Sequence, residues 1–182
     1  MHAEVRNWMG HVRDLHPHYF KGTRVLDAGS RDVNGTNRWL FDDTAKYVGI
    51  DIFPGPGVDV VGRIHEWADT TKWGTFDVVL STEMLEHDIF WDLSLIAMLA
   101  LLKPDGLMIV TCAGEGRGEH GTKKDNPIAS PYTTDYYCNV TPLMMRDVFI
   151  PEKMFRAWGY DISGNSFSTG LDTHMWGIKT KG

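Results

Sequence analysis

The sequence has only two cysteines, Cys112 and Cys138, and no C-x-x-C pair. Neither a disulfide framework nor a cysteine zinc site is therefore expected, and a reducing, cytoplasmic setting is the default. Long apolar runs are missing as well, because the longest, residues 93–102, is interrupted by Ser94 and is too short to cross a bilayer. The opening residues, MHAEVRNWMG, lack the basic-then-apolar order of a secretion signal.

An excess of positive charge is also missing. The chain has 18 lysines and arginines against 24 acidic residues, and the resulting net charge of −6 disfavours a broad nucleic-acid surface. Internal repeats and low-complexity tracts do not occur. The 182 residues, 42% of them hydrophobic, fit one domain spanning residues 1–182. The sequence gives no indication of oligomeric state.

Short, continuous apolar runs are what the sequence does contain. They are RVLDA (24–28), KYVGID (46–51), VDVVG (58–62), FDVVLS (76–81) and LMIVTC (107–112). Such runs are typical of strands that are buried on both faces. Near the end of the chain, YDISGNSF (160–167) and THMWGIKT (173–180) predict an antiparallel pair of strands.

Helical spacing first occurs near the start of the chain. Residues 1–20 predict an N-terminal helix, which the His16-Pro17 step should end or bend. Its predicted apolar stripe consists of Val5, Trp8, Val12, Leu15 and Tyr19.

Two further helices are predicted between and after the strands. Residues 88–102 form one, and KPDG (103–106) ends it; its predicted apolar positions are Ile89, Leu93, Ile96, Ala97, Ala100 and Leu101. The other begins at Thr141-Pro142, with an N-cap threonine and a first-turn proline. We expect an interruption at Pro151 and an end near Trp158-Gly159.

The alternation of strands and helices predicts an α/β fold, with a doubly wound, mostly parallel, Rossmann-like sheet and a final antiparallel strand. Ligands of such sheets bind outside the carboxyl ends of the strands. Residues 113–141 carry Gly, Pro, His, Tyr and Asp without a clear period. Because this segment is long for a simple connection, we interpret it as a functional loop on the substrate side.

A glycine-containing turn follows the first predicted strand in VLDAGSRDVNG (25–35). Asp27, Gly29 and Gly35 predict a tight turn that allows a ligand to approach the backbone closely. The second predicted strand ends at Asp51, where an acidic side chain can accept hydrogen bonds from both hydroxyls of a ribose. A ribose-bearing ligand is therefore predicted.

NAD and S-adenosylmethionine are both compatible with a ribose site. The pyrophosphate of NAD needs glycines and a helix N-terminus, and Asp27 and Asp32 would repel it. S-adenosylmethionine presents an ammonium, a carboxylate and a sulfonium there, which suits a loop that mixes carboxylates with Gly29, Ser30 and Arg31. If Asp32 points inward, its carboxylate and a pyrophosphate ~4 Å away would repel each other by about 4 kcal/mol, which is enough to favour S-adenosylmethionine over NAD. The favoured interpretation of Asp32 is a turn or helix cap, and in that position its charge does not decide between the two cofactors.

Four segments resemble successive motifs of class I S-adenosylmethionine-dependent methyltransferases, particularly the small UbiE/type 11-like branch. They are VLDAGSRDVNG (25–35), YVGIDIFPGPGVDVVG (47–62), FDVVLSTEMLEH (76–87) and LLKPDGLMIVT (101–111). The resemblance implies a seven-stranded sheet, S-adenosyl-L-methionine as the cofactor, and methyl transfer. By resemblance, the cofactor contacts are Asp27, Gly29 and Ser30 for the methionine portion, Asp51 and Ile52 for the ribose, Arg63 and Ile64 for the adenine, and Thr82 after the fourth strand.

The chain departs from the family pattern at two places. Arg31 replaces the middle glycine of the usual G-x-G-x-G, and Gly62-Arg63-Ile64-His65 stands where the family often has Asp followed by a small residue. The second departure affects the predicted adenine contacts.

TEMLEH (82–87) supplies the candidates for catalysis. An oxygen or nitrogen acceptor that must lose a proton needs a base, and His87 is the best single candidate. Glu83 shares a helical face with His87 if the helix has already begun, and by resemblance it lies near the cofactor. The alternative for His87 is that it caps or supports the helix.

The loop adds His120 and Tyr137 as polar groups on the acceptor side, in segments that resemble the family's His-Gly and Asp-Tyr-Trp-x-x-Thr-Pro pattern. Anchoring of the loop is the alternative for both residues. No metal is predicted, because His65, His87, His120 and His174 show no metal-ligand spacing.

These observations predict an S-adenosylmethionine-dependent methyltransferase whose acceptor is not identifiable. Two alternatives stay open. One is an NAD(P)-binding oxidoreductase, and the other is a non-catalytic protein of the same fold that binds the cofactor or a protein partner.

Overall fold

The predicted strands form one sheet in the computed structural model, which describes residues 3–44, 46–128, 130–164 and 171–181. The strands are β1 (Arg24–Ala28), β2 (Lys46–Asp51), β3 (Val60–Val61), β4 (Phe76–Thr82), β5 (Leu102–Ala113), β6 (Phe155–Gly164) and β7 (Leu171–Lys179). Their order is β3-β2-β1-β4-β5-β7-β6. Neighbouring strands among β1 to β5 pair in parallel, and β7 is antiparallel to both β5 and β6. The predicted fold class, with seven strands and a final antiparallel strand, is confirmed.

The strand boundaries follow the apolar runs closely at the centre of the sheet and less closely at its edges. Strands β1 and β2 coincide with their predicted runs, whereas β3 keeps only two residues. The expected turn at residues 103–106 is an irregularity within β5. Phe76 pairs with Leu102 but Val78 pairs with Leu107, so the intervening residues bulge out of register.

The helices lie between the strands, but not in every connection. They are α1 (Ala3–Leu15), α2 (Ile64–Thr70), α3 (Trp91–Leu101), α4 (Pro142–Val148) and α5 (Pro151–Met154). Between β1 and β2, residues 29–44 contain the 3-10 turn Asn37–Leu40 and no α-helix. The predicted alternation therefore fails at the connection next to the glycine turn.

The N-terminal helix ends at Leu15, and the 3-10 turn Pro17–Phe20 follows it, as the proline step predicts. The buried face of α1 consists of Val5, Met9 and Val12. Leu15, which the predicted stripe included, is 50% exposed. This part of the prediction is wrong because the helix ends there and no longer follows the sheet.

The face of α3 that packs on the sheet also differs from the prediction. Leu95 and Met98 are fully buried, whereas Leu93 and Ile96 are 43% and 51% exposed. Nearly every residue of the helix is apolar, so the spacing of apolar residues does not single out one face. Only contact with the sheet decides which side is buried.

The C-terminal region confirms the helix start and corrects the helix end. The Thr141 hydroxyl accepts a hydrogen bond from the Met144 backbone N–H, which is the predicted N-cap. Pro151 opens α5, but the predicted end near Trp158-Gly159 is wrong, because these residues lie in β6. Aromatic residues suit a strand packed against a neighbour as well as they suit a helix.

The core lies on both faces of the sheet. Adjacent residues of β1 illustrate this, because Val25 packs with the α1 side and Leu26 packs with the α3 side. Both side chains are fully buried, as expected for a strand covered on both faces. In the described residues, none of the helices combines the length and apolar character that crossing a membrane requires.

Candidate functional site

A cavity of about 600 Å³ lies at the carboxyl ends of β1, β2 and β4. Residues of the segment 114–141 line the other side of the cavity. The described part of this segment contains no helix or strand. All predicted cofactor contacts line this cavity: Asp27, Gly29, Ser30, Asp51, Ile52, Arg63, Ile64 and Thr82. The topology thus brings together residues from four separate segments at the edge where ligands of such sheets bind.

The turn after β1 depends on Gly29. Its φ of 77° lies in the left-handed region, and the backbone N–H groups of Gly29 and Ser30 both donate to the Ile50 carbonyl, at 2.9 and 3.2 Å. A Cβ on Gly29 would lie 2.5 Å from Cγ of Met84, which also lines the cavity. Glycine is therefore required for both the backbone conformation and the close approach.

Asp51 ends β2 and faces the same cavity. Its Oδ1 accepts from the Phe53 backbone N–H at 3.0 Å, and its Oδ2 accepts from the Arg31 backbone N–H at 3.3 Å. Burial raises the pKa of Asp51, and these amide donors partly offset that rise. A carboxylate accepts about four hydrogen bonds, so capacity for ligand hydroxyls remains.

Asp27 is buried and held by two side chains that the sequence did not point to. Its Oδ2 accepts from the Tyr47 hydroxyl at 2.6 Å, and its Oδ1 accepts from Nδ2 of Asn37 at 3.1 Å. The same Asn37 group donates to the Thr82 hydroxyl at 3.0 Å, which links the ends of β1 and β4. Burial raises the pKa of Asp27 to about 6, although the two donors lower it.

Replacing Tyr47 by phenylalanine is expected to destabilise the fold in a pH-dependent way. Hydrogen bonds to charged groups contribute about 1.5–3 kcal/mol and neutral ones about 1 kcal/mol. The free energy of unfolding should therefore fall by about 2 kcal/mol at about pH 8, where Asp27 is ionised, and by about 1 kcal/mol at about pH 5. Urea unfolding at both pH values measures this difference.

Tyr160→Phe is the matched control, because the Tyr160 hydroxyl is buried and has no hydrogen-bond partner among the described residues. We expect no loss of stability from it at either pH. An equal loss for Tyr47→Phe at the two pH values would contradict the assigned contact with an ionising Asp27.

Asp32 lies outside the cavity lining. It is exposed, and its Oδ1 accepts from the Gly35 backbone N–H at 2.8 Å. The favoured interpretation of Asp32 as a turn cap is confirmed. Its charge consequently does not contribute to the choice between a pyrophosphate and a sulfonium.

The predicted adenine contacts lie at the start of α2. Arg63 lines the cavity, its guanidinium lies 5.0 Å from the centre of the Phe90 ring, and its Nη1 lies 3.7 Å from Oδ1 of Asp88. Asp88, which the sequence did not single out, also lines the cavity. This ion pair orients Arg63 beside Ile64, which is buried.

Glu83 follows β4 directly and precedes any helix. Its φ of 54° is in the left-handed region, a 3-10 turn spans Leu85–His87, and α3 begins only at Trp91. The expectation that Glu83 and His87 share a helical face is therefore wrong, because the strand ends in a turn and not in a helix.

The carboxylate of Glu83 nevertheless lies at the cavity. Its Oε1 accepts from the Thr111 hydroxyl at 3.1 Å. Burial raises the pKa of Glu83 to about 7, and the charge of Asp172 adds to this while that of Arg117 opposes it.

His87, His120 and Tyr137 form a cluster of rings. The ring centres of His87 and His120 are 5.2 Å apart, and Tyr137 lies 5.5 Å from His87 and 5.0 Å from His120. His87 and His120 line the cavity, whereas Tyr137 is not among the described lining residues. Burial lowers the pKa of His87 to about 4, with a further contribution from His120, so that His87 is neutral near pH 7.

Both loop residues also anchor the loop. The Tyr137 hydroxyl donates to the Gly118 carbonyl at 3.1 Å, and Nδ1 of His120 bonds the same carbonyl at 3.1 Å. Further along the loop, the Tyr132 ring lies parallel to that of Phe53, with centres 3.6 Å apart. This stacking holds the loop against the end of β2.

Two further ionisable residues of the site are buried, and sequence reasoning missed one of them, Arg117. Arg117 lines the cavity and pairs with buried Asp172 of β7, a contact between distant parts of the chain for which the sequence has no signal. Glu86 is fully buried beside His87. The motif TEMLEH displays Glu86, but only the structure shows that it points inward.

Comparison with known proteins establishes the fold. No model of a known protein family matches the chain, and no curated protein sequence matches it significantly. Among solved structures, a 1,6-didemethyltoxoflavin-N1-methyltransferase from Burkholderia thailandensis, with bound 1,6-didemethyltoxoflavin and S-adenosylhomocysteine, is 17% identical with a TM-score of 0.67; the match covers 98% of this chain and 79% of that one.

Two further matches show how widely this fold is used. A SAM-dependent methyltransferase from Archaeoglobus fulgidus is 15% identical with a TM-score of 0.61, over 96% of this chain and 94% of that one. The [4+2]-cyclase SpnF is 12% identical with a TM-score of 0.64, over 94% of this chain and 81% of that one. The chain therefore shares the fold of class I S-adenosylmethionine-dependent methyltransferases, as the sequence resemblance implied.

Proposed function

We propose that the protein is an S-adenosylmethionine-dependent methyltransferase acting on an acceptor that is not identified. One observation carries the proposal: the glycine turn at Gly29, the acid at Asp51 and the segment at Arg63 line a single cavity at the carboxyl ends of the strands. Ligands of such sheets bind at this edge, and the family resemblance assigns these three positions to the methionine portion, the ribose and the adenine, respectively.

The connection after β1 favours S-adenosylmethionine over NAD. A dinucleotide places its pyrophosphate on the N-terminus of the helix that follows the glycine turn. Residues 29–44 contain no α-helix, only the 3-10 turn Asn37–Leu40. The aligned N–H groups that a pyrophosphate needs are missing from this part of the chain. Asp32, which points to solvent, does not contribute to this preference.

The reaction requires alignment more than chemical activation by the protein. When bound, S-adenosylmethionine supplies a methyl group on a sulfonium; the S–CH₃ bond breaks as the acceptor–CH₃ bond forms, and neutral S-adenosylhomocysteine remains. Orientation of the reactants contributes about 7–11 kcal/mol in well-aligned reactions. The cavity walls and the loop containing His120 and Tyr132 are the elements that would orient the acceptor and exclude water.

The catalytic roles are proposals as well. His87 is neutral near pH 7 and lines the cavity, so it is able to take the proton that an oxygen or nitrogen acceptor loses. Glu83 and His120 also line the cavity, and Tyr137 supports the two histidine rings. A cytoplasmic location, the single-domain extent and the absence of a broad nucleic-acid surface stay predictions.

Calorimetric titration with S-adenosylhomocysteine, NAD and NADP tests the cofactor assignment. We expect S-adenosylhomocysteine to bind, and we expect neither NAD nor NADP to bind. Binding of NAD without S-adenosylhomocysteine would instead support an oxidoreductase. Because a [4+2]-cyclase shares the fold, release of S-adenosylhomocysteine from S-adenosylmethionine in the presence of acceptor pools is the measurement that separates transfer from binding alone.

A further inference from the structure

Three potential metal ligands, two of them in the cavity lining, lie close together. Glu86 and His87 come from the 3-10 turn after β4, and His120 comes from the loop after β5. One ligand atom from each of them lies within 4.8 Å of the others. Of the four histidines considered from the sequence, His87 and His120 are the two that this arrangement includes. The residues are far apart in the chain, so spacing rules for metal motifs do not detect them.

Glu86 is fully buried, and neither oxygen of its carboxylate makes a hydrogen bond of ordinary geometry. Burial and the neighbouring Glu83 raise the pKa of Glu86 well above its usual value, and the backbone N–H groups of Glu86 and Ala113 offset this only in part. Buried carboxylates are normally paired or coordinate a metal ion. The position of Glu86 beside two imidazoles is consistent with the second arrangement.

The hydrogen bond of His120 determines which of its nitrogens is free to bind an ion. Its Nδ1 lies 3.1 Å from the Gly118 carbonyl, which only accepts, so Nδ1 carries the proton. In the neutral ring, Nε2 then presents a lone pair. Metal-binding histidines usually donate their other N–H to a carbonyl or carboxylate in this way. Nδ1 of His87 is buried and has no partner among the described residues.

We propose that Glu86, His87 and His120 bind a divalent first-row transition ion, such as Zn²⁺, in a site with two imidazole ligands and one carboxylate. Three protein ligands leave coordination positions open for water or a substrate. Because His87 and His120 line the cavity, those open positions face the space where the acceptor is expected. Tetrahedral ligand atoms at ~2.1 Å from one ion are ~3.4 Å apart, so the three side chains, whose ligand atoms lie within 4.8 Å of one another, would close by up to about 1.4 Å when the ion binds.

The site extends the proposed function without depending on it, since metal binding is measurable with no cofactor present. A bound ion lowers the pKa of a coordinated water or hydroxyl. In that case the ion would activate an acceptor hydroxyl, and His87 would act as a ligand and not as the base. The class of acceptor that fits is one with an oxygen able to coordinate the ion.

Calorimetric titration of the chelator-treated protein with Zn²⁺, without S-adenosylhomocysteine, tests this proposal. We expect one ion per chain. Loss of one of three ligands costs more than loss of an outer hydrogen-bond partner, so Glu86→Gln and His120→Gln should each raise the Kd for Zn²⁺ by about 100-fold or more. Zn²⁺ should also raise the Tm of the unaltered protein but not that of His120→Gln.

His65→Gln is the matched control, because His65 is a partly buried histidine of α2 outside the cluster. It should bind Zn²⁺ as the unaltered protein does. Circular dichroism without metal checks folding, and if Glu86→Gln does not fold, the loop variant His120→Gln decides. The proposal is overturned if the unaltered protein does not bind Zn²⁺, if His120→Gln binds it equally tightly, or if His65→Gln loses binding to the same extent.

Discussion

Replacement of Asp51 by alanine is expected to weaken the binding of S-adenosylhomocysteine by about 100-fold or more. Hydrogen bonds that involve a charged group contribute about 1.5–3 kcal/mol each, and the carboxylate would accept one from each ribose hydroxyl. The variant also removes the acceptor for the backbone N–H groups of Arg31 and Phe53, which hold the two loops that border the cavity. Calorimetric titration with S-adenosylhomocysteine measures the change in Kd.

Asp32→Ala is the control for Asp51→Ala. It removes the same charge from a neighbouring loop, but Asp32 is exposed and only caps a turn through Gly35. We expect its Kd for S-adenosylhomocysteine to stay close to that of the unaltered protein. An unchanged Kd in a folded Asp51→Ala variant would contradict the proposed contact between Asp51 and the ribose. Asp51→Asn, which keeps one acceptor, should fall between the two alanine variants.

Gly49→Ala is expected to destabilise the fold by about 3 kcal/mol or more, which is exceptional for a single methyl group. A Cβ on Gly49 would lie 2.0 Å from the Gly57 carbonyl oxygen and 2.5 Å from the Ser30 hydroxyl oxygen. Gly49 is unable to move away easily, because its N–H donates to the Asp59 carboxylate and its carbonyl accepts from the Asp59 N–H, both at 2.8 Å. Urea unfolding measures the loss.

Gly10→Ala provides a control of opposite sign. Gly10 lies inside α1, and a Cβ there meets no heavy atom within 4 Å. Alanine is favoured over glycine inside a helix by about 1 kcal/mol, so this variant should be slightly more stable than the unaltered protein. A loss of less than about 1 kcal/mol for Gly49→Ala would contradict this expectation, because the segment at Gly57 would then have moved without loss of packing.

The clearest agreement between sequence and structure lies at the central strands. Runs of apolar residues around Leu26 and Val48 predicted β1 and β2 to the residue, because a strand covered on both faces must be apolar at nearly every position. The same principle fails for α3. In a helix that is apolar all round, composition does not tell whether Leu93 or Leu95 faces the sheet, and packing alone buries Leu95.

The site divides in a similar way. Gly29 and Asp51 were predictable because each follows a strand, and the ends of parallel strands meet at one edge of the sheet. The buried partners of Asp27 were not predictable, since Asn37 and Tyr47 belong to other segments and contact it only when the sheet has formed. The prediction that no metal binds rested on the spacing of the histidines along the sequence. That spacing does not show that His120, in a distant loop, lies next to His87.

By itself, the sequence determined the central strands, the sheet type, and Gly29 and Asp51 as positions that border the cavity, because these follow from local periodicity and from the rule that ligands bind at the strand ends. Only the tertiary structure decided where charged side chains point. It buried Glu86 beside two imidazoles, paired Arg117 with Asp172, and left the turn after Gly29 without an α-helix. The physical reason is that burial and pairing of a charge depend on contacts between residues distant in the chain, which no local pattern encodes.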